Sequence, residues 1–203
     1  MSSPAGAGRP LRADAQRNRD ALVTAAATVF RTRGSDVSML EIAEAAGVGV
    51  GTLYRHFPQR EFLVAAVYQE SLKELCAEAG DLLAQHPADQ AIELWLRHLV
   101  DHVRVNLPLK LILMRTPEGA KWSPKGATAP PLLAESRELL LATIAELLDA
   151  AVRQGLVRPG TEPLDLLLMT MGVCHVDASA EEAGRMIGLL VNGLRYGGSG
   201  TSE

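Results

Sequence analysis

Between Ser38 and Arg60 the chain reads SMLEIAEAAGVGVGTLYRHFPQR, and within it a hydroxyl, a phenol, a guanidinium and an imidazole (Thr52, Tyr54, Arg55, His56) fall inside five positions. That set suits DNA, whose phosphate oxygens and base edges take hydrogen bonds from such groups. To reach a major groove they must ride on one short helix braced by another. The flanking residues supply that pair. Ser38 and Glu41 make a capping box, so a helix is expected to start there. Its apolar positions Met39, Ile42, Ala43 and Ala46 share one face. Gly47 suits the left-handed residue that ends a helix, and Val48 can fill the angle before the next. The second helix is expected from about Val50, burying Leu53 and Phe57 and stopping at Pro58. A longer helix should precede the pair, from an N-cap at Asp14 to Arg33, with Leu22, Ala25, Ala26, Val29 and Phe30 as its apolar stripe and Gly34 closing it. Three helices around one small core form a helix-turn-helix DNA-binding domain.

These residues resemble a known family. IAEAAGVGVGTLYRHFPQREFL, preceded by FRTRG and Ser38, is similar to the N-terminal domain of the TetR family of bacterial transcriptional regulators. The likeness runs over roughly Asp14 to Leu63, and further along the chain it is one of helical architecture only. The resemblance implies that Val50, Gly51, Thr52, Tyr54 and Arg55 face the groove. Arg55 has the best chemistry for a base, because a guanidinium pairs bidentately with guanine O6 and N7; a second phosphate clamp is the alternative. Thr52, Tyr54, His56 and Arg60 correspond to phosphate contacts, and Ser38 offers its amide and hydroxyl. Arg9, Arg12, Arg17 and Arg19 could sit on flanking phosphate or in a minor groove, or Arg9 and Arg12 are simply a solvated arm. Two positions depart from the family pattern. Gly49 replaces the usual Ser or Thr at the start of the recognition helix, which costs a few tenths of a kcal/mol of capping. Leu40, often polar in the family, touches a thymine methyl or nothing. Both departures put any borrowed operator sequence in doubt.

Charge is distributed unevenly. The 203 residues carry a net −4, but residues 1–60 hold eight arginines against five acids, and residues 61–203 hold twelve basic residues against nineteen acids. A basic head on an acidic body fits a protein that meets phosphate at one end. Cys76 and Cys174 lie far apart and outside any C-x-x-C, which fits a reducing compartment and no disulfide framework. The start MSSPAGAGRPLR lacks the apolar core of a signal peptide, and no run of about 18 apolar residues could span a membrane. The expectation is a soluble cytoplasmic protein without a membrane partner. Its Gly/Pro/Ala-rich start and its tail, residues 197–203, read as disordered.

The remainder reads as helices. One should run from Gln59 to about Gln85, roughly 40 Å long. Others are expected at about Ala88–Asn106, Leu109–Met114, Pro131 to Gly155, Pro163–His175 and Ala180–Arg195, with an irregular Pro/Gly-rich stretch around Trp122. The fold class is therefore all-α: a DNA-binding domain at 1–58 and a helical effector-binding and dimerisation domain at 59–196. Trp95, His98, Leu99 and His102 fall on one helical ridge. With Met114, Trp122, Leu140, Met169 and Cys174 they could line an apolar effector cavity, or the aromatic and sulfur groups are plain core. His98 and His102 stand at metal-ligand spacing, but no third ligand is evident, and no metal or cofactor is expected. The last helix carries more apolar surface than one core needs. Met186, Leu190 and Leu194 are the expected homodimer contacts, since family members pair their two C-terminal helices and two half-sites need two heads.

No G-x-S-x-G, phosphate loop or H-E-x-x-H occurs, so an enzyme is not expected. The resemblance implies a repressor that binds a palindromic double-stranded DNA operator as a dimer and is released by a small, largely apolar effector. A transcriptional activator, or an architectural DNA-binding protein without effector, shares the same motifs.

Overall fold

The computed structural model describes the backbone of residues 8–114 and 131–195, and the side chains of residues 14–113 and 135–195. Its helices are α1 (Gly8–Arg33), α2 (Met39–Ala45), α3 (Val50–His56), α4 (Arg60–Gln85), α5 (Ala88–Val105), α6 (Leu107–Met114), α7 (Pro131–Arg153), α8 (Pro163–Cys174) and α9 (Ala180–Leu194). Among the described residues the only extended pairing is an isolated antiparallel bridge between Val157 and Arg195. The stretch around Trp122 and the tail after Tyr196 lie outside the described residues. No described helix is long and apolar enough to cross a membrane.

The chain divides into two compact units, Met1–Gln69 with Pro108–Thr116, and Glu70–Leu107 with Pro117–Glu203. This division falls inside α4, whereas a boundary at residue 58 places it ahead of that helix. A continuous helix gives the sequence no composition shift by which to mark such a point.

In the first unit α1 packs on α2 and α3, and α2 on α3. Leu22, Ala26, Val29 and Phe30 meet Ile42, Ala43, Leu53 and Phe57 in its buried core. Helix α1 begins at Gly8, six residues before the expected Asp14 N-cap; Asp14 instead pairs with Arg17 one turn on. The joint between α2 and α3 is built as expected. Ser38 accepts from the Glu41 amide at 3.3 Å, while its own amide donates to the Glu41 carboxylate at 2.9 Å. Gly47 has φ +65, and its amide bonds the Glu44 carbonyl while that of Val48 bonds Ala43. These two bonds are the Schellman arrangement, which closes the helix end and turns the chain sharply.

In the second unit α5 packs against α7, α8 and α9. Trp95, Leu96, Leu99, Ile144, Leu147, Leu166, Ile187 and Val191 form its core. The start of α5 and the end of α9 are tied by charge: Arg195 meets Asp89 at 2.8 Å and Glu93 at 3.9 Å. The Ala88 amide at the start of α5, which no side chain of its own N-cap Pro87 can satisfy, donates to the Gln154 side chain at 3.0 Å. A second capping box, Ser179 with Glu182, starts α9. In both boxes hydrogen bonds from the serine hold the glutamate carboxyl below its ordinary range.

Candidate nucleic-acid interface

Helix α3 has two unlike faces. Leu53 is fully buried, and Phe57, its C-cap, is nearly so. Opposite them Val50, Gly51, Tyr54 and Arg55 are exposed, Tyr54 at 49% and bordered by the half-buried Thr52 and His56. A seven-residue helix packed through one leucine and a capping phenylalanine must show the rest of its surface, because the 3.6-residue period allows one stripe inward. Among the described residues Arg55 makes no hydrogen bond or ion pair, so its five N–H donors are available. Leu40 on α2 is 53% exposed, an apolar group next to this polar surface. Gly49 is the N-cap of α3 and provides no side-chain cap, as the sequence implies.

Several residues expected on phosphate have partners inside the protein. The hydroxyl and amide of Ser38 are both taken up by Glu41. Arg17 is paired with Asp14, and the Arg19 guanidinium lies 5.5 Å from the centroid of the Phe57 ring, joining α1 to the end of α3. The side chains of Arg9 and Arg12 lie outside the described residues. Arg60 departs most from expectation. Both of its terminal nitrogens donate to backbone carbonyls, those of Val37 and Ser35, and its guanidinium lies 5.5 Å from the centroid of Phe30. Sequence could not show this, because the acceptors are main-chain oxygens 23 and 25 residues away.

The ridge on α5 separates into core and rim. Trp95 is fully buried, and its indole N–H donates to the Leu75 carbonyl at 3.0 Å, so it belongs to the core and not to a cavity wall. Leu140 and Cys174 also pack against that core, whereas Met169 is 62% exposed. The Met114 side chain and Trp122 lie outside the described residues. Beside the ridge there is instead a groove of about 440 Å³ between α4 and α5, lined by Ser71, Glu74, Leu75, Glu78, His98, Asp101, His102, Val105 and Asn106. Three carboxylates, Glu74, Glu78 and Asp101, stand beside its apolar lining, so this groove is not the largely apolar cavity expected from the sequence, whose lining falls partly outside the described residues. His98 Nδ1 stands 2.9 Å from Glu78, and burial pushes the His102 imidazole pKa down. Among the described residues no three His, Cys, Asp or Glu side chains converge as a metal site. Burial pushes the Cys76 thiol up, against a hydrogen bond with Thr143.

The expected dimer contacts separate in the same way. Leu194 is 7% exposed and belongs to its own protomer's core, a correction to its assignment as a contact; Leu190 is half-buried against that core. The outward stripe of α9 is Met186, Leu189 and Gly193, with Leu189 at 73% exposure. On α8 Met169 and Gly172 are likewise exposed at helical spacing, and Val176 is exposed just past its C-cap.

Comparison with known proteins gives two matches to family models: bacterial regulatory proteins of the tetR family over residues 22–67, and the C-terminal domain of SbtR-like transcriptional regulators over residues 87–196. A TetR transcriptional regulator of Streptomyces coelicolor is 31% identical with a TM-score of 0.67, the match covering 87% of this chain and 98% of that one. A TetR transcription regulatory protein of Mycobacterium vanbaalenii is 33% identical with a TM-score of 0.64, covering 92% and 99%. An HTH-type transcriptional regulator of Staphylococcus aureus is 36% identical over 81 residues. That last match spans 38% of this chain and 42% of that protein, less than half of either.

Proposed function

This chain belongs to the TetR family of bacterial transcriptional regulators, and from that premise we propose that it is a transcriptional repressor whose homodimer binds a palindromic double-stranded DNA operator and is released by a small effector. The observation that carries the reading is the outward face of α3, where Arg55 stands unengaged among the described residues beside Tyr54, Val50 and Gly51. Arg55 reads a guanine from this face, while Tyr54, Thr52 and His56 hold phosphate. Leu40 offers an apolar contact to a thymine methyl.

Two heads on adjacent half-sites stand about 34 Å apart, one DNA turn. The partner is a second copy joined through α8 and α9, and the exposed Met169, Met186 and Leu189 support that choice. The effector occupies the groove beside His98 and His102. Its carboxylates favour a polar or cationic molecule over an apolar one, because an apolar ligand would strip water from Glu74, Glu78 and Asp101 without replacing their hydrogen bonds. To turn a mostly bound population into a mostly free one, the effector must prefer the released shape by about 5 kcal/mol.

Selection of tight binders from a random duplex library tests the reading. The expected product is an inverted repeat with half-site centres about one turn apart. Recovery of no sequence preference would leave an architectural DNA-binding protein, and recovery of single half-sites would remove the dimer from the account.

A further inference from the structure

The inference concerns Arg60 and rests on the DNA-binding reading above. Arg60 opens α4, and its half-buried guanidinium reaches back across the first unit. Its terminal nitrogens donate to the carbonyls of Ser35 and Val37, in the connection between α1 and α2. Its flat face covers Phe30, near the end of α1. Phe30 and Val37 are both buried, so the guanidinium sits where that connection crosses the core. The next residue, Ser38, caps α2, which packs on α3.

We propose that Arg60 is a positioning residue: a two-pronged clamp through which the first turn of α4 holds the α1–α2 connection and thereby fixes where α2 and α3 present Tyr54 and Arg55. The chemistry calls for arginine. A planar fork can satisfy two carbonyls two residues apart while stacking on a ring, whereas the lysine ammonium is a single point charge on a flexible stem. The clamp also gives α4 a direct hold on the α1–α2 connection, so a displacement of the first turn of α4 reaches it without passing through α3.

A phosphate contact at Arg60 makes the opposite forecast, and the two are separable. The proteins are the full chain with Arg60→Lys and with Arg60→Gln. The DNA probe is a labelled random-sequence duplex titrated across salt concentration, and amide hydrogen exchange is followed over residues 35–40 without DNA. The clamp predicts that both variants bind about tenfold more weakly at every salt concentration, the effect of losing one charge-assisted hydrogen bond. Their plots of log affinity against log salt run parallel to wild type, and exchange over residues 35–40 quickens by about the same factor in both. The proposal is overturned if Arg60→Lys binds like wild type while Arg60→Gln flattens the salt slope by about 0.9, the signature of one lost phosphate contact. Unchanged exchange over residues 35–40 in both variants overturns it equally. A wild-type chain that binds no duplex refutes the regulator reading instead, and the exchange data still decide the clamp.

Discussion

Replacing Trp95 separates a core residue from a pocket wall. The side chain is fully buried among the Leu and Ile of the second unit, and its indole donates to the Leu75 carbonyl at 3.0 Å. Trp95→Ala removes the whole ring system from a packed interior, at a cost of about 3–5 kcal/mol. Trp95→Phe keeps most of the volume and loses the hydrogen bond. Its acceptor lies inside α4, where a helical amide can still serve it, so the cost should be nearer 1–2 kcal/mol. Against a typical domain stability of about 5–15 kcal/mol the first loss is large and the second moderate. Urea unfolding followed by helical circular dichroism, which needs no tryptophan, reads both as a fall in midpoint at constant slope. If Trp95 lined a cavity, the alanine variant would keep nearly the wild-type midpoint, and that result would refute its assignment to the core.

Leu189→Glu should leave the protomer within about 0.5 kcal/mol of wild type, because the side chain is exposed there, yet split the dimer in sedimentation. Leu194→Glu should instead unfold the protomer; an intact dimer of Leu189→Glu would move the interface off α9. Ser179→Ala should cost about 1 kcal/mol through the lost cap of α9, checked by thermal or urea unfolding. The Glu41 and Glu182 carboxyls are depressed by their serine hydrogen bonds, so their stabilisation is complete above the ordinary glutamate range. It is lost as pH falls through the lowered values, from about pH 5 downward, and Ser179→Ala should shrink that acid-limb loss.

What the sequence reveals depends on how local the cause is. The turn between α2 and α3 is legible because Ser38, Glu41 and Gly47 each act within a few residues, and the same pattern at Ser179 and Glu182 was available to mark the start of α9. The beginning of α1 is not, since residues 8–13 carry no apolar period and Asp14 resembles a cap. On α5 the period shows that Trp95, His98 and His102 share a side of the helix but gives no depth. His98 lies about 60° round from Trp95 at 100° per residue, far enough to move from core to groove rim. On α9 the apolar residues cover a broad arc with Leu189 at its edge, so the pattern alone could not tell the inward Leu194 from the outward Leu189. The partners of Arg60 are backbone oxygens, which leave no trace in residue identity.

The central claim, that the exposed face of α3 reads DNA sequence, is tested most directly by the base preference of Arg55→Ala. Binding to a selected operator and to every single-base-pair variant of one half-site should be measured for both proteins at one salt concentration. The account predicts that preference falls by about 1–3 kcal/mol at one base pair per half-site and is retained at the others. An equal loss of affinity for operator, variants and random duplex alike would contradict it and reduce Arg55 to a phosphate contact.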